Sequence, residues 1–174
     1  MGNSKIQKIT RKSPAEWKKL VAKYQKPDAR RATWQIINTL TPVAGIWVGL
    51  FFLKSVSLLL CVPLAMLAGL FLIRAFIIFH DCGHGSFFKS KKANDTLGFI
   101  TGMLTFTPYH HWKWEHAKHH ATNGDLDRRG IGDIWTLTVR EYLTSSRMTR
   151  FNYRFVRNPF ILFVFAPLFL FMVL

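Results

Sequence analysis

The chain alternates between long apolar runs and charge-dense stretches. Trp34 to Leu53 runs for twenty residues without a charged side chain. An α-helix of about 20 apolar residues crosses the ~30 Å hydrocarbon core of a bilayer, so this run predicts a first membrane span over 34–53. Lys54 and Ser55 interrupt it. Val56 to Phe79 is apolar apart from Arg74 and predicts a second span over 56–79. So short a connection forces a helical hairpin. Arg74 falls in the last turns of the second span, where a long basic side chain snorkels to the interface or meets a partner inside the protein. Leu97 to Thr107 is apolar for only eleven residues, with Gly98 and Gly102 inside and Pro108 after it. That is too short to cross. It predicts a short re-entrant or interfacial helix, with a buried core helix as the alternative. Pro159 to Leu174 is apolar again and predicts the start of a third span over 159–174. The fold class expected is an all-α integral membrane protein, and the apolar finish predicts the amino-terminal part of a longer chain, with a returning fourth span to follow.

The polar stretches refine this picture. Residues 1–33 carry ten Lys and Arg against two acids. Within them Ser13-Pro14-Ala15-Glu16 is a capping box with proline at the first helical position. Trp17, Leu20, Val21 and Tyr24 follow at helical spacing. This predicts a basic arm over 1–33 with a short amphipathic helix on the membrane surface, ahead of a membrane domain over 34–174. The net charge of +15 fits nucleic acid or cytoplasmic flanks of membrane helices. The apolar runs, and the lack of any zinc-finger or RNA-binding motif, favour the membrane and exclude nucleic acid. The flanks 1–33 and 80–158 hold ten and twelve Lys and Arg, and the hairpin turn holds one. The predicted topology is multi-pass with a cytoplasmic N-terminus. The polar stretch 80–158, predicted to be a helical His-rich segment, lies on the same side. Cys61 sits in an apolar run and Cys82 beside it, so neither a disulfide framework nor a two-cysteine zinc site is expected.

Candidate chemistry lies in two histidine clusters. The first is His80-Asp81-Cys82-Gly83-His84, directly after the second apolar run. The second is His116-Ala117-Lys118-His119-His120. Residues three or four apart share one face of a helix. His80 and His84 therefore point together, as do His116, His119 and His120. Five imidazoles from two helices can converge on one volume. Imidazole suits Zn, Cu, Fe and Ni, and five ligands exceed the four of a tetrahedral zinc site, which suggests two metal ions. Asp81 and Glu115 adjoin the histidines, and a carboxylate that accepts a ligand's second ring N–H fixes its tautomer. His110, His111, Trp112 and Trp114 fall outside the ligand pattern and are assigned to a rim or substrate entrance. Glu-x-x-His, H-E-x-x-H, G-x-S-x-G and Walker motifs are all absent.

These clusters, in the context "HDCGHGSFF" and "PYHHWKWEHAKHHATNGDLDRRGIGDIW", resemble the first two histidine boxes of the membrane fatty acid desaturases. The similarity extends over about residues 30–174 and is greatest to bacterial acyl-lipid desaturases of the delta-5 type. The resemblance implies a non-haem centre of two Fe ions held almost wholly by histidine. It implies O2 as co-substrate, two electrons from a ferredoxin or flavodoxin, and a cis double bond introduced into a phospholipid acyl chain in the bacterial cell membrane. No catalytic residue separate from the ligands is implied. The family carries a third box, H-x-x-H-H, whereas all seven histidines here precede residue 121. The expectation for these 174 residues alone is weak iron binding and no turnover. Two other readings stand beside it. One is a His-box hydroxylase or ketolase of hydrophobic substrates. The other is a membrane haem or metal-binding protein that is not an enzyme.

Overall fold

The structure is a computed structural model and describes residues 13–22, 24–130, 134–166 and 169. The described secondary structure is helical throughout. It divides into two compact units, residues 1–114 and 115–174, with the division falling inside an unbroken helix.

The first unit opens with α1 (Pro14–Ala22). The capping box forms as expected: Ser13 N–H donates to Glu16 Oε2 at 2.6 Å, and Glu16 N–H donates to Ser13 Oγ at 3.3 Å. Of the rest of the predicted arm, 1–12 and Lys23 lie outside the described residues, and 29–33 form the start of the next helix.

The hairpin follows as α2 (Ala29–Leu53) and α3 (Leu58–Gly83). Both helices are long and apolar enough to cross a membrane. Each is longer than its hydrophobic run. α2 starts five residues earlier than predicted because Asp28 caps it, its Oδ1 accepting from the backbone N–H of Arg30 and Arg31. A run defined by hydropathy cannot see a helix turn built from charged residues. At the far end α3 runs past Phe79 through His80, Asp81 and Cys82, so the first histidine cluster is the last turn of the span helix itself. The turn between the two helices covers 54–57, with Ser57 N–H donating to Leu53 O at 2.9 Å. Pro42 and Pro63 lie inside α2 and α3. Each lacks the backbone N–H a helix normally uses, yet membrane helices accommodate such positions.

The buried positions of the hairpin are mostly small or β-branched, with Phe79 the large exception. Ala32, Thr39, Val43 and Ile46 are buried on α2, and Ala68, Ala75, Phe79 and Cys82 on α3. Small side chains let backbones approach where no aqueous hydrophobic effect drives helix association. One polar link crosses the hairpin: Arg74 Nη2 donates to Asn38 Oδ1 at 2.6 Å. Of the two fates open to Arg74 from the sequence, the structure selects the protein partner.

The predicted short helix is α4 (Lys91–Leu104), fourteen residues rather than an apolar segment starting at Leu97. Ser90 caps it, accepting from Ala93 N–H at 3.3 Å. The buried Asn94 side chain ties its first turn to the preceding loop: Phe88 N–H donates to Asn94 Oδ1, and Asn94 Nδ2 donates to Phe88 O, both at 2.8 Å. The helix ends in a left-handed residue, Phe106 (φ 53°). There Thr107 N–H reaches back to Gly102 O at 2.8 Å, the bond of a Schellman close. α4 makes close contacts at two glycines, with α3 at Gly102 and with Tyr109, the first residue of the following helix, at Gly98. A methyl group at Gly102 would lie 2.7 Å from Thr107 O and 3.0 Å from the Phe79 ring, and one at Gly98 would overlap the Tyr109 ring.

α5 (Tyr109–Thr122) carries the second histidine cluster. The second unit continues with α6 (Val139–Thr144) and α7 (Arg147–Val156), followed by a π-helical turn at Ile161–Phe165. A capping box on Thr138 and Glu141 starts α6. Arg129 pairs with the same Glu141 through both guanidinium nitrogens. Tyr153 of α7 packs its ring against Trp135 at 5.4 Å and Tyr142 at 5.7 Å. The predicted third span lies outside the described residues beyond Ala166, apart from Phe169.

The packing at Gly98 yields a test. Gly98→Ala forces α4 away from Tyr109, and overpacking of this kind costs about 2 kcal/mol. Gly69→Ala, where an added methyl meets nothing within 4 Å, gains helix propensity of up to ~1 kcal/mol. Thermal unfolding in detergent should show Gly98→Ala melting below the wild type and Gly69→Ala at or above it.

Candidate metal centre

His80 lies in the last turn of α3, and His84 caps that helix, one turn further on. Their Nε2 atoms are 3.2 Å apart. His80 Nδ1 lies 3.1 Å from Asp81 Oδ1. A neutral imidazole has one N–H, so donation from Nδ1 to this carboxylate leaves Nε2 with a free lone pair. That lone pair faces the His84 ring. His116 and His120 on α5 repeat the arrangement at the same spacing, with Nε2 atoms 3.1 Å apart.

Each of the four histidines offers one ring nitrogen as a ligand atom, in two pairs of the same spacing. His80 and His116 are half-buried, and His84 and His120 are exposed. Facing lone pairs repel unless a proton or a metal ion lies between them, and an all-imidazole donor set suits late first-row metals, iron among them. The residues therefore fit a late first-row metal ion, with the Asp81 carboxylate beside the other ring nitrogen of His80.

His119, the fifth histidine of the sequence pattern, is not in that group. It lies beside it on α5, its ring centroid 6.2 Å from His116 and 5.9 Å from His120. Glu115 precedes His116 and is half-buried. His110 and His111 are exposed on the first turn of α5, His111 stacking on Trp114 at 6.2 Å. Trp112, assigned to a rim or substrate entrance from the sequence, is half-buried and packs against the core. Its ring is 4.6 Å from Phe79, 5.8 Å from Phe76 and 5.7 Å from His80. A methyl group on Gly83 would meet it at 2.8 Å. Trp112 thus braces the ring of a candidate ligand.

Sequence reasoning missed the residue that seats α5. Tyr109 is almost fully buried. Its hydroxyl lies 3.0 Å from both Cys82 O, at the end of α3, and Asp95 Oδ1, on α4. Lys113, one turn along α5, donates to Asp95 Oδ1 at 2.8 Å. Three helices meet at this cluster, within two residues of His80 and His84. The sequence held one signal for it: Tyr109 and Lys113 sit four apart just after Pro108, opposite the apolar glycine helix.

The cluster shifts its own titrations. Hydrogen bonding from Lys113 holds the Asp95 carboxyl below its ordinary value. Burial raises the Tyr109 phenol. The bond to Asp95 raises the Lys113 ammonium. A lowered carboxylate contributes stability that is full above its unfolded pKa of 3.8 and lost as pH falls through the folded value. Raised phenol and ammonium groups contribute below their unfolded values of 10.0 and 10.5 and lose that contribution as pH rises through the folded ones. Stability from this cluster should be level between about pH 4 and 10 and fall on either side. Asp95→Asn should flatten the acid limb of a pH–unfolding profile relative to wild type. An unchanged acid limb would remove Asp95 from the account.

A family model described as "Fatty acid desaturase" matches residues 57–174. The "Fatty acid desaturase" of Bacillus subtilis is 48% identical over 155 residues, covering 89% of this chain and 44% of the relative. The "sn-1 oleoyl-lipid 12-desaturase" of Synechocystis is 31% identical over 133 residues, covering 76% of this chain and 36% of the relative. The "sn-1 acyl-lipid omega-3 desaturase (ferredoxin)" of Synechocystis is 46% identical over 52 residues, covering 30% of this chain and 14% of the relative. No solved structure matches. The chain spans less than half the length of these relatives, yet the family model covers more than half of the chain. With two helices apolar enough to cross a membrane, the second ending in paired histidines, this membrane protein belongs to the fatty acid desaturase family.

Proposed function

We propose that this chain supplies the first two histidine clusters of a membrane acyl-lipid desaturase, which introduces a cis double bond into phospholipid acyl chains using O2 and two electrons. The observation that carries the reading is the pairing of His80 with His84 and of His116 with His120, each pair one helix turn apart with its ring nitrogens about 3 Å from each other. These four residues would hold iron, with His119 beside them as a further ligand and Asp81 and Glu115 as carboxylates that fix the rings. Iron, when bound, supplies the oxidising strength to attack a methylene, which offers no acid, base or nucleophile anything to act on. Completing two iron coordination spheres takes more ligands than these five.

The chain's own residues do the positioning. Asp81 holds the His80 tautomer, Trp112 and Gly83 hold its ring, and Tyr109 fixes the start of α5. The apolar faces of α2 and α3 offer a surface along which an acyl chain can lie straight, and their polar ends place it beside the histidines. A topology with the N-terminus and both clusters on the cytoplasmic side follows from the excess of basic residues on those flanks. The same excess suits an acidic ferredoxin or flavodoxin as donor through electrostatic steering. The printed name of one Synechocystis relative includes ferredoxin.

The test is a graft. The chain replaces the matching segment of the Bacillus subtilis relative, in membranes of a bacterium without its own desaturase, and the acyl chains are analysed by gas chromatography and mass spectrometry. Unsaturated chains should appear, and His84→Ala or His116→Ala should reduce them to background. Hydroxylated chains would instead identify a hydroxylase. Full product from the alanine variants would remove these histidines from the reaction.

A further inference from the structure

We propose that α7 is a membrane-interface helix that inserts Met148, Phe151 and Phe155 into a leaflet of anionic phospholipid and sets its arginines among the phosphate headgroups. The argument rests on the second unit alone and does not depend on which reaction the family centre performs. An α-helix turns about 100° per residue. Tyr153 therefore points away from Met148, Phe151 and Phe155, which share one face at spacings of three and four. Tyr153 faces the unit's own side chains, Trp135 and Tyr142. The opposite face is left outside: Met148 is 67% exposed, Phe151 64% and Phe155 53%, with the two Phe rings stacked at 6.3 Å.

Arginine occupies one flank. Arg147, Arg150, Arg154 and Arg157 fall within a third of the helix circumference, and α7 carries no acid. Arg154 and Arg157 also hold the helix to its unit. Arg154 Nε donates to Tyr142 Oη at 2.5 Å, and Arg157 Nη1 donates to Trp135 O at 3.1 Å. Arg150 Nε donates to Ser145 O at 3.1 Å, a bond that does not use its two terminal nitrogens. Guanidinium forks match phosphate oxygens in pairs.

Two features favour a lipid surface over a protein groove as the occupant. The cationic flank complements an anionic leaflet and adjoins the apolar face, the arrangement by which amphipathic helices lie in the interface with the apolar side buried about 5–10 Å. The chain also passes from α7 through Asn158 directly into the apolar run from Pro159, so the end of α7 lies where the chain turns to enter hydrocarbon.

The experiment places the 174-residue chain, with Cys61→Ser as background, in nanodiscs of phosphatidylglycerol and phosphatidylcholine or of phosphatidylcholine alone. Phe151→Cys and, as a second reporter on the same face, Met148→Cys carry a spin label. Asn123→Cys labels an exposed loop for reference. Collision with O2 and with a water-soluble nickel chelate gives depth. The labels at 148 and 151 should lie about 5–10 Å below the phosphates in anionic discs and shallower in neutral ones. Arg147→Gln with Arg150→Gln should remove that difference. Labels at 148 and 151 as open to nickel as the one at 123 would overturn the proposal. So would labels shielded from both reagents, which would mean that protein covers this face, and so would a depth indifferent to lipid charge.

Discussion

The geometry of the histidines depends on where one phenol ring is seated. Tyr109 lies under α4 at a glycine and against α3 at Phe79, with its hydroxyl between the Cys82 carbonyl near the end of α3 and the Asp95 carboxylate. The contact does two opposing jobs. Burying an aromatic ring is favourable, but it would strand a hydroxyl if the oxygens were not there to meet it. Asp95 is in turn an anion that needs Lys113. Remove any member and another is left in a poor setting. That interdependence makes the start of α5 a fixed point from which the helix carries His116 and His120.

The hairpin supplies the complementary constraint. Its apolar length sets the level at which α3 ends, and α3 ends in His80. The Arg74–Asn38 bond adds direction. A cation in an apolar helix has few places to be satisfied, so pairing it across to α2 gives the two arms one favoured register. Small residues at Ala68 and Ala75 allow the close approach that such pairing requires.

Much of this was legible in the sequence, and the failures share a cause. Runs of apolar residues located α2, α3 and the core of α4, and the capping residues at Ser13 located α1. The helix starts at Asp28 and Ser90 were missed because charged first turns look like loops to a hydropathy pattern, although each begins with a capping residue that a search for caps would find. The four-residue spacing of the histidines gave both pairs. What spacing could not give was Trp112. An aromatic beside two histidines and near a membrane reads as part of a rim or entrance, and only the structure shows its packing against Gly83 and Phe79. Tyr109 was hidden for a similar reason. Its role needs Gly98 and Cys82, eleven and twenty-seven residues away in sequence, and nothing local reports such a meeting.

The loop between the first cluster and α4 is held in an unusual currency. Asn94 uses its amide oxygen and its amide nitrogen on one residue, Phe88, and both bonds are to main chain. The side chain imitates a neighbouring peptide. A latch of this kind does not read the side chain it fastens, so it leaves residue 88 to change within what its packing against the core allows, while its place in space is fixed. Length has no such freedom. An inserted residue between Gly85 and Ser90 would present the wrong peptide to the amide, and Gly85 already occupies a backbone conformation (φ 68°) that other residues rarely adopt. The segment behind the first histidine cluster should therefore vary by substitution and hardly at all by insertion.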